Sequence, residues 1–219
     1  MSQEAKVLTG IGIFTIIIIG VAVFLFGGKG SLDKSQAAPI DQSILVHKDS
    51  HIEKSKNNKV TLIEFGDFQC PACGATYPIV QQILNAYKDD VTFVFKNYPL
   101  PIHQNSRIAA EAAEAAGAQG KFFPMYEKLY DNQKDWGESK DPMKYFEQYA
   151  KQIKLNVDTF KKEVADQKYE KKIQADIDDG NKVGLNATPT FYINGVEIVG
   201  GLPYDQFKQK IDDAIKQKK

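Results

Sequence analysis

The stretch VTLIEFGDFQCPACGATYPIVQQILNAY, residues 60–87, decides the fold. Its opening run, Val60 to Phe65, is β-branched or apolar apart from Glu64 and reads as a buried central strand. From Pro71 to Tyr87 the period changes, and Ile79, Val80, Ile83, Leu84 and Tyr87 fall on one helical stripe. Beyond it, Val91 to Lys96 (VTFVFK) reads as a second strand. Strand, helix and strand of these lengths form a βαβ unit. At the junction of its first strand and helix stand Cys70 and Cys73, the only two cysteines of the chain.

That pair has three readings. A structural zinc site needs about four ligands, and only His47, His51 and His103 are available to complete one, none at the short His-x-His-type spacing expected. No metal is therefore expected. Two inert core cysteines would sit inside an apolar stripe, whereas these stand at a strand-to-helix turn. Redox chemistry gives each residue a task. Unpaired N–H groups at a helix N-terminus stabilise a thiolate at Cys70, Pro71 suits the first helical turn, and Cys73 lies one turn on. Cys70 is expected as the exposed nucleophile and Cys73 as the deeper resolving thiol.

Outward from this unit, the middle of the chain reads as helical. Asn105 to Gln119 contains AAEAAEAA, a composition that loses little entropy in a helix. Lys121 to Asn132 is rich in aromatics. Asp141-Pro142 reads as an N-cap and first turn of a helix reaching about Ile153, and Asp158 as the cap of a longer one ending near Gly180. Strand character returns with Thr190–Ile193 and Val196–Val199, joined by Asn194-Gly195, the dipeptide of a type I′ hairpin turn. A last helix follows Pro203, with Phe207, Ile211 and Ile215 on one face. On the N-terminal side, Ser43 to His47 is expected to add an edge strand.

Residues 7–26 carry no charge and include IFTIIIIGVAVFLF. At about 1.5 Å per residue this run spans a hydrocarbon core of roughly 30 Å, so it reads as a transmembrane helix. A cleavable signal has a shorter apolar region, and the nearest small-residue site, Ser35-Gln36-Ala37, lies well beyond the end of this one. The flanking charges give only a weak positive-inside bias. A single-pass anchor in the cell membrane, with the body on the extracytoplasmic side, is the expectation. Composition agrees with a folded body that avoids nucleic acid: 219 residues are 42% hydrophobic, and 28 basic side chains balance 28 acidic ones.

Three separated segments carry a resemblance: FGDFQCPAC (65–73), NYPLPIHQNSRIAAEAAEAAGAQGKFFPMYEKLY (97–130) and ATPTFYINGVEIVGG (187–201). In that order, across about Asp41 to Lys216, the chain resembles the DsbA-like thiol-disulfide oxidoreductases of the thioredoxin superfamily. The resemblance implies an α/β thioredoxin fold of four or five strands with an inserted helical domain. The parts would be an anchor (1–27), a linker and edge segment (28–58), two thioredoxin halves (59–102 and 181–219) and the insertion (103–180). It implies that Thr188-Pro189 is a cis-proline loop beside the disulfide, where the backbone pairs with an extended client. Pro71 and Ala72 would then also face substrate. Glu64 matches the buried acid beneath the active site, a candidate proton acceptor for Cys73, because burial raises a carboxyl pKa. Phe68 is expected to pack and His103 to play a structural part.

The implied activity is exchange through Cys70 and Cys73 that introduces disulfides into extracytoplasmic proteins. The implied partners are cysteine-containing proteins and a membrane redox protein that resets the pair; no cofactor is called for. Between the cysteines stands Pro-Ala, where strongly oxidising members have Pro-His, which points to a milder oxidant. A dedicated reductase or isomerase and a non-catalytic tethered holdase are the alternatives.

Overall fold

A computed structural model describes residues 39–217. The apolar run 7–26 lies outside them, and among the described residues no helix is long and apolar enough to cross a membrane. The strand read from VTLIEF is β2 (Val60–Gly66), which follows a short β1 (His51–Glu53). It leads into α1 (Pro71–Ala86) and then β3 (Val91–Asn97). β2 and β3 run parallel, with Val60 opposite Val91 and Gly66 opposite Asn97. Six helices follow: α2 (Ser106–Ala118), α3 (Phe122–Asp131), α4 (Gln133–Trp136), α5 (Met143–Gln152), α6 (Val157–Ala165) and α7 (Glu170–Lys182). The chain then returns through β4 (Thr190–Ile193), β5 (Val196–Val199) and α8 (Tyr204–Gln217). The sheet order is β1-β3-β2-β4-β5. This is the thioredoxin fold with a helical insertion between β3 and β4.

The near-continuous apolar character of β2 has a physical cause: both of its faces are covered. Leu62 faces one core with Phe93, Phe95, Phe191 and the helices. Ile63 and Phe65 face a second with Val94, Tyr192, Leu45 and Leu185. Alternation places Glu64 on the same side as Leu62, under α1. The hairpin turn is as expected: Asn194 and Gly195 take φ of 48° and 86°. A side chain at Gly195 would collide with the Ile40 backbone, whose N–H donates to the Gly195 carbonyl at 3.0 Å.

Three expectations are corrected. Ser43 to His47 forms no strand; Gln42–Ile44 is a 3-10 turn, capped by Asp41, whose side chain accepts from the Ser43 N–H at 2.9 Å. The edge strand is instead β1, antiparallel to β3, with His51 opposite Phe95. The helix expected from Asp158 to Gly180 is two helices, α6 and α7. Asn156 caps α6 by accepting from the Thr159 N–H at 3.0 Å, and Gln167, at φ 48°, interrupts the run. Finally, Pro142 rather than Asp141 occupies the N-cap of α5.

Candidate active site

β2 ends at Gly66, and the turn to α1 is held from both sides. The Cys70 N–H donates to the Asp67 carbonyl at 3.1 Å. The buried Asp67 carboxylate accepts from the Gln69 N–H at 2.8 Å, the Leu100 N–H at 2.9 Å and His103 Nδ1 at 2.6 Å. His103 thus ties the proline-rich loop after β3 to the turn. From the insertion, Gln133 Nε2 donates to the carbonyls of Phe68 (2.7 Å) and Cys70 (2.9 Å). Gln69 reaches the other way, accepting from the Asn105 N–H at 2.5 Å and donating to the Gly137 carbonyl at 2.7 Å. Phe68 packs, as expected, against Phe95, Tyr126 and Tyr130.

Cys70 is the N-cap of α1 and Pro71 its first residue. The two cysteines are free thiols. Cys73 is 0% exposed and Cys70 6%, so the outer thiol is far less open than its N-terminal position suggested. What covers it is the loop before β4. Cys70 Sγ lies 3.5 Å from the Thr188 carbonyl, the Thr188-Pro189 bond is cis, and the Pro189 carbonyl accepts from the Gly200 N–H at 2.8 Å. The structure therefore brings Cys70, Cys73, Thr188 and Pro189 together. A cleft of about 540 Å³ beside them is lined by Pro71, Gly74, Tyr130, Gln133 and Glu138.

The two sulfurs sit in opposed fields. A hydrogen bond from the Cys73 thiol holds Cys70 down at about 5, assisted by Thr188 and by the N–H groups of Cys73 and Ala72, against the effect of burial. Burial, then the hydrogen bond with Cys70 and the charge of Cys70, push Cys73 well up. Glu64 is 1% exposed, and burial lifts its carboxyl to about 8, only partly opposed by the Tyr126 hydroxyl, which donates to it at 3.3 Å. Its charge is felt at Cys73. Sequence reading missed Gln133 and the tyrosines of α3. The signal available for the latter was spacing, since Tyr126 and Tyr130 lie one helical turn apart.

A family model described as Thioredoxin matches residues 48–213. Disulfide bond formation protein D of Bacillus subtilis is 30% identical over 167 residues, covering 73% of this chain and 74% of that protein. A protein named Na(+)/H(+) antiporter NhaA 1, from Salinispora arenicola, is 35% identical over 158 residues. That match covers 71% of this chain but 23% of the relative, so the chain spans about a quarter of such proteins. Among solved structures, BdbD from Bacillus subtilis (oxidised) superposes with a TM-score of 0.70 at 27% identity, covering 81% of this chain and 96% of that one. Wolbachia pipientis alpha-DsbA1 gives 0.72 at 20% identity, with 81% and 96% covered, a likeness of fold.

Proposed function

This chain belongs to the thioredoxin family as a DsbA-like thiol-disulfide oxidoreductase, and on that premise we propose that it oxidises client dithiols through Cys70 and Cys73. A client thiolate attacks Cys70 Sγ of the disulfide form, the Cys70–Cys73 bond breaks, and its electron pair leaves on Cys73, which takes a proton from Glu64. A second client thiolate then attacks the client sulfur of the mixed disulfide and releases Cys70 as a thiolate. The client loses two electrons and the pair gains them. The observation that carries this direction is the Cys70 thiol at about 5. A stable leaving thiolate favours the reduced protein and makes the disulfide an oxidant.

Pro71, Ala72, Thr188 and Pro189 form the surface on which the client lies, its extended backbone pairing beside Pro189. The clients are cysteine-containing extracytoplasmic proteins, and a membrane redox partner of two-electron capacity restores the disulfide. Residues 7–26 anchor the chain in one pass. Residues 103–180 act as a helical domain set into a body formed by 59–102 and 181–219. One observation favours a second reading: Pro-Ala between the cysteines offers no side-chain donor to Cys70, which suits a reductase or isomerase serving one partner. Redox equilibrium with glutathione separates the two. A potential well above the thioredoxin value of about −270 mV supports the oxidase, and one near it supports the reductase.

A further inference from the structure

Gln133, the first residue of α4, is half-buried and reaches from the insertion to the turn that bears Cys70. Its Nε2 donates to the Phe68 carbonyl at 2.7 Å and to the Cys70 carbonyl at 2.9 Å. The Cys70 carbonyl also accepts from the Gly74 N–H at 3.0 Å, the hydrogen bond that opens α1, so both of its lone pairs are engaged. A second observation marks the same contact. Gly74 stands inside α1, where glycine is less favourable than alanine. The three atoms nearest to a Cβ added there are Oε1, Cδ and Nε2 of Gln133, with Cδ only 2.8 Å away. The carboxamide thus occupies the space that any side chain at position 74 would need.

Satisfying the carbonyls is not by itself a reason for this arrangement. Gln133 lines the cleft beside the cysteines, and water there would serve a carbonyl nearly as well. What water does not supply is a fixed link to a second element. Cys70 is the N-cap of α1, with φ −63° and ψ 122°. From that conformation an N-cap side chain reaches the N–H groups of the second and third helical residues. Here these are Ala72 and Cys73, whose N–H groups support the Cys70 thiolate. The sulfur also lies 3.5 Å from the Thr188 carbonyl. Rotating the Cys70 peptide would carry the sulfur away from both. We propose that Gln133 is a positioning residue for the exchange reaction: by holding the Phe68 and Cys70 carbonyls, it fixes Cys70 in the N-cap conformation in which its sulfur is attacked and released. This rests on the exchange through Cys70 and Cys73 set out above. Gln133 itself gives up no proton or electron.

The test uses the full chain as wild type, Gln133→Ala, Gly74→Ala, the two combined, Asn156→Ala and Cys70→Ser. The reduced proteins are titrated by iodoacetamide alkylation and equilibrated with glutathione at pH 7. Gln133→Ala is expected to raise the Cys70 alkylation midpoint by about one unit and to shift the glutathione equilibrium about tenfold toward the disulfide. Gly74→Ala favours the helix but displaces the carboxamide, so it should reproduce both effects. The combined variant should go no further than either change alone. Asn156→Ala weakens the fold at a cap bonded to Gln119 and Thr159, and should leave the midpoint in place. A shift of less than about twofold in either single variant overturns the proposal. So do additive shifts in the combined variant, or an equal shift in Asn156→Ala, which would make the effect one of general stability. Should Gln133→Ala fail to fold, Gly74→Ala alone decides. Turnover of client thiols by Cys70→Ser would instead refute the underlying exchange reading, whatever Gln133 does.

Discussion

Two thiols of one chemical type, one helical turn apart, are driven in opposite directions, and the difference has a size. Lowering Cys70 from 9.0 to about 5 stabilises the reduced protein at pH 7 by roughly 3 kcal/mol. That corresponds to roughly 60 mV toward a stronger oxidant. Cys73, raised further, is a neutral thiol at pH 7 whether folded or unfolded and adds nothing to this difference. The Cys73 thiol, Thr188 and two backbone N–H groups, and not the side chain at position 72, hold Cys70 down. Iodoacetamide should label Cys70 with a midpoint near pH 5 and before Cys73; a midpoint above 7 would contradict this account. Cys73→Ala should trap mixed disulfides with clients, and Cys70→Ala should not. Glu64 acts on stability with the opposite slope. Its folded value of about 8 exceeds its ordinary 4.5, so its contribution is fully present below pH 4.5 and is lost as pH rises through 8. In the reduced protein, urea unfolding should show Glu64→Gln gaining on wild type by roughly 4 kcal/mol between those limits. A gap that does not change with pH would refute the buried-carboxyl assignment.

At the scale of elements, the site is a junction held by three separate pieces of chain. α1 presents Cys70 at its N-cap, the loop before β4 closes over it, and Gln133 from α4 grips the carbonyls of Phe68 and Cys70. The hairpin supports the second of these, since β5 runs on to Gly200, whose N–H holds the Pro189 carbonyl. Gly195→Ala would place a side chain at φ 86° and against the Ile40 backbone. It should cost about 2 kcal/mol in denaturant unfolding and loosen residues 39–46 to hydrogen exchange. Asn156→Ala removes a helix cap and should cost about 1 kcal/mol. Elements with a clean period were legible: β2 from its apolar run, α1 from its stripe, the hairpin from Asn194-Gly195. The break between α6 and α7 was not. Its cause lies outside the segment, in Glu111 of α2, whose carboxylate accepts from the Tyr169 N–H at 3.1 Å where α7 begins.

Across the whole molecule, a buried charge network joins segments far apart in sequence. Lys96 of β3 is 1% exposed and lies 2.6 Å from Asp176 and 2.9 Å from Asp179, both on α7. His47 meets Asp179 at 2.6 Å, and His51 meets Glu114 of α2 at 2.8 Å while stacking on Phe122 of α3. Against the effect of burial, Lys182, Lys96 and His47 hold Asp179 down at about 2, so its contribution is present above 3.8 and lost as pH falls through 2. Lys96→Met leaves two buried carboxylates without their common cation and should cost about 3–5 kcal/mol at pH 7. A loss below about 1 kcal/mol would mean the network is not holding the insertion to the sheet. By itself the sequence determined the βαβ unit, the hairpin, the reactive pair and their order along the chain, because these follow from local periodicity, turn chemistry and spacing. Only the tertiary structure decided how deeply Cys70 is covered, that Glu64 faces α1, and which residues of the insertion reach the site, Tyr126 at Glu64 and Gln133 at the Cys70 carbonyl. Those outcomes depend on which surfaces remote segments bury against one another, and burial and long-range contact set a thiol or carboxyl pKa where sequence neighbours do not.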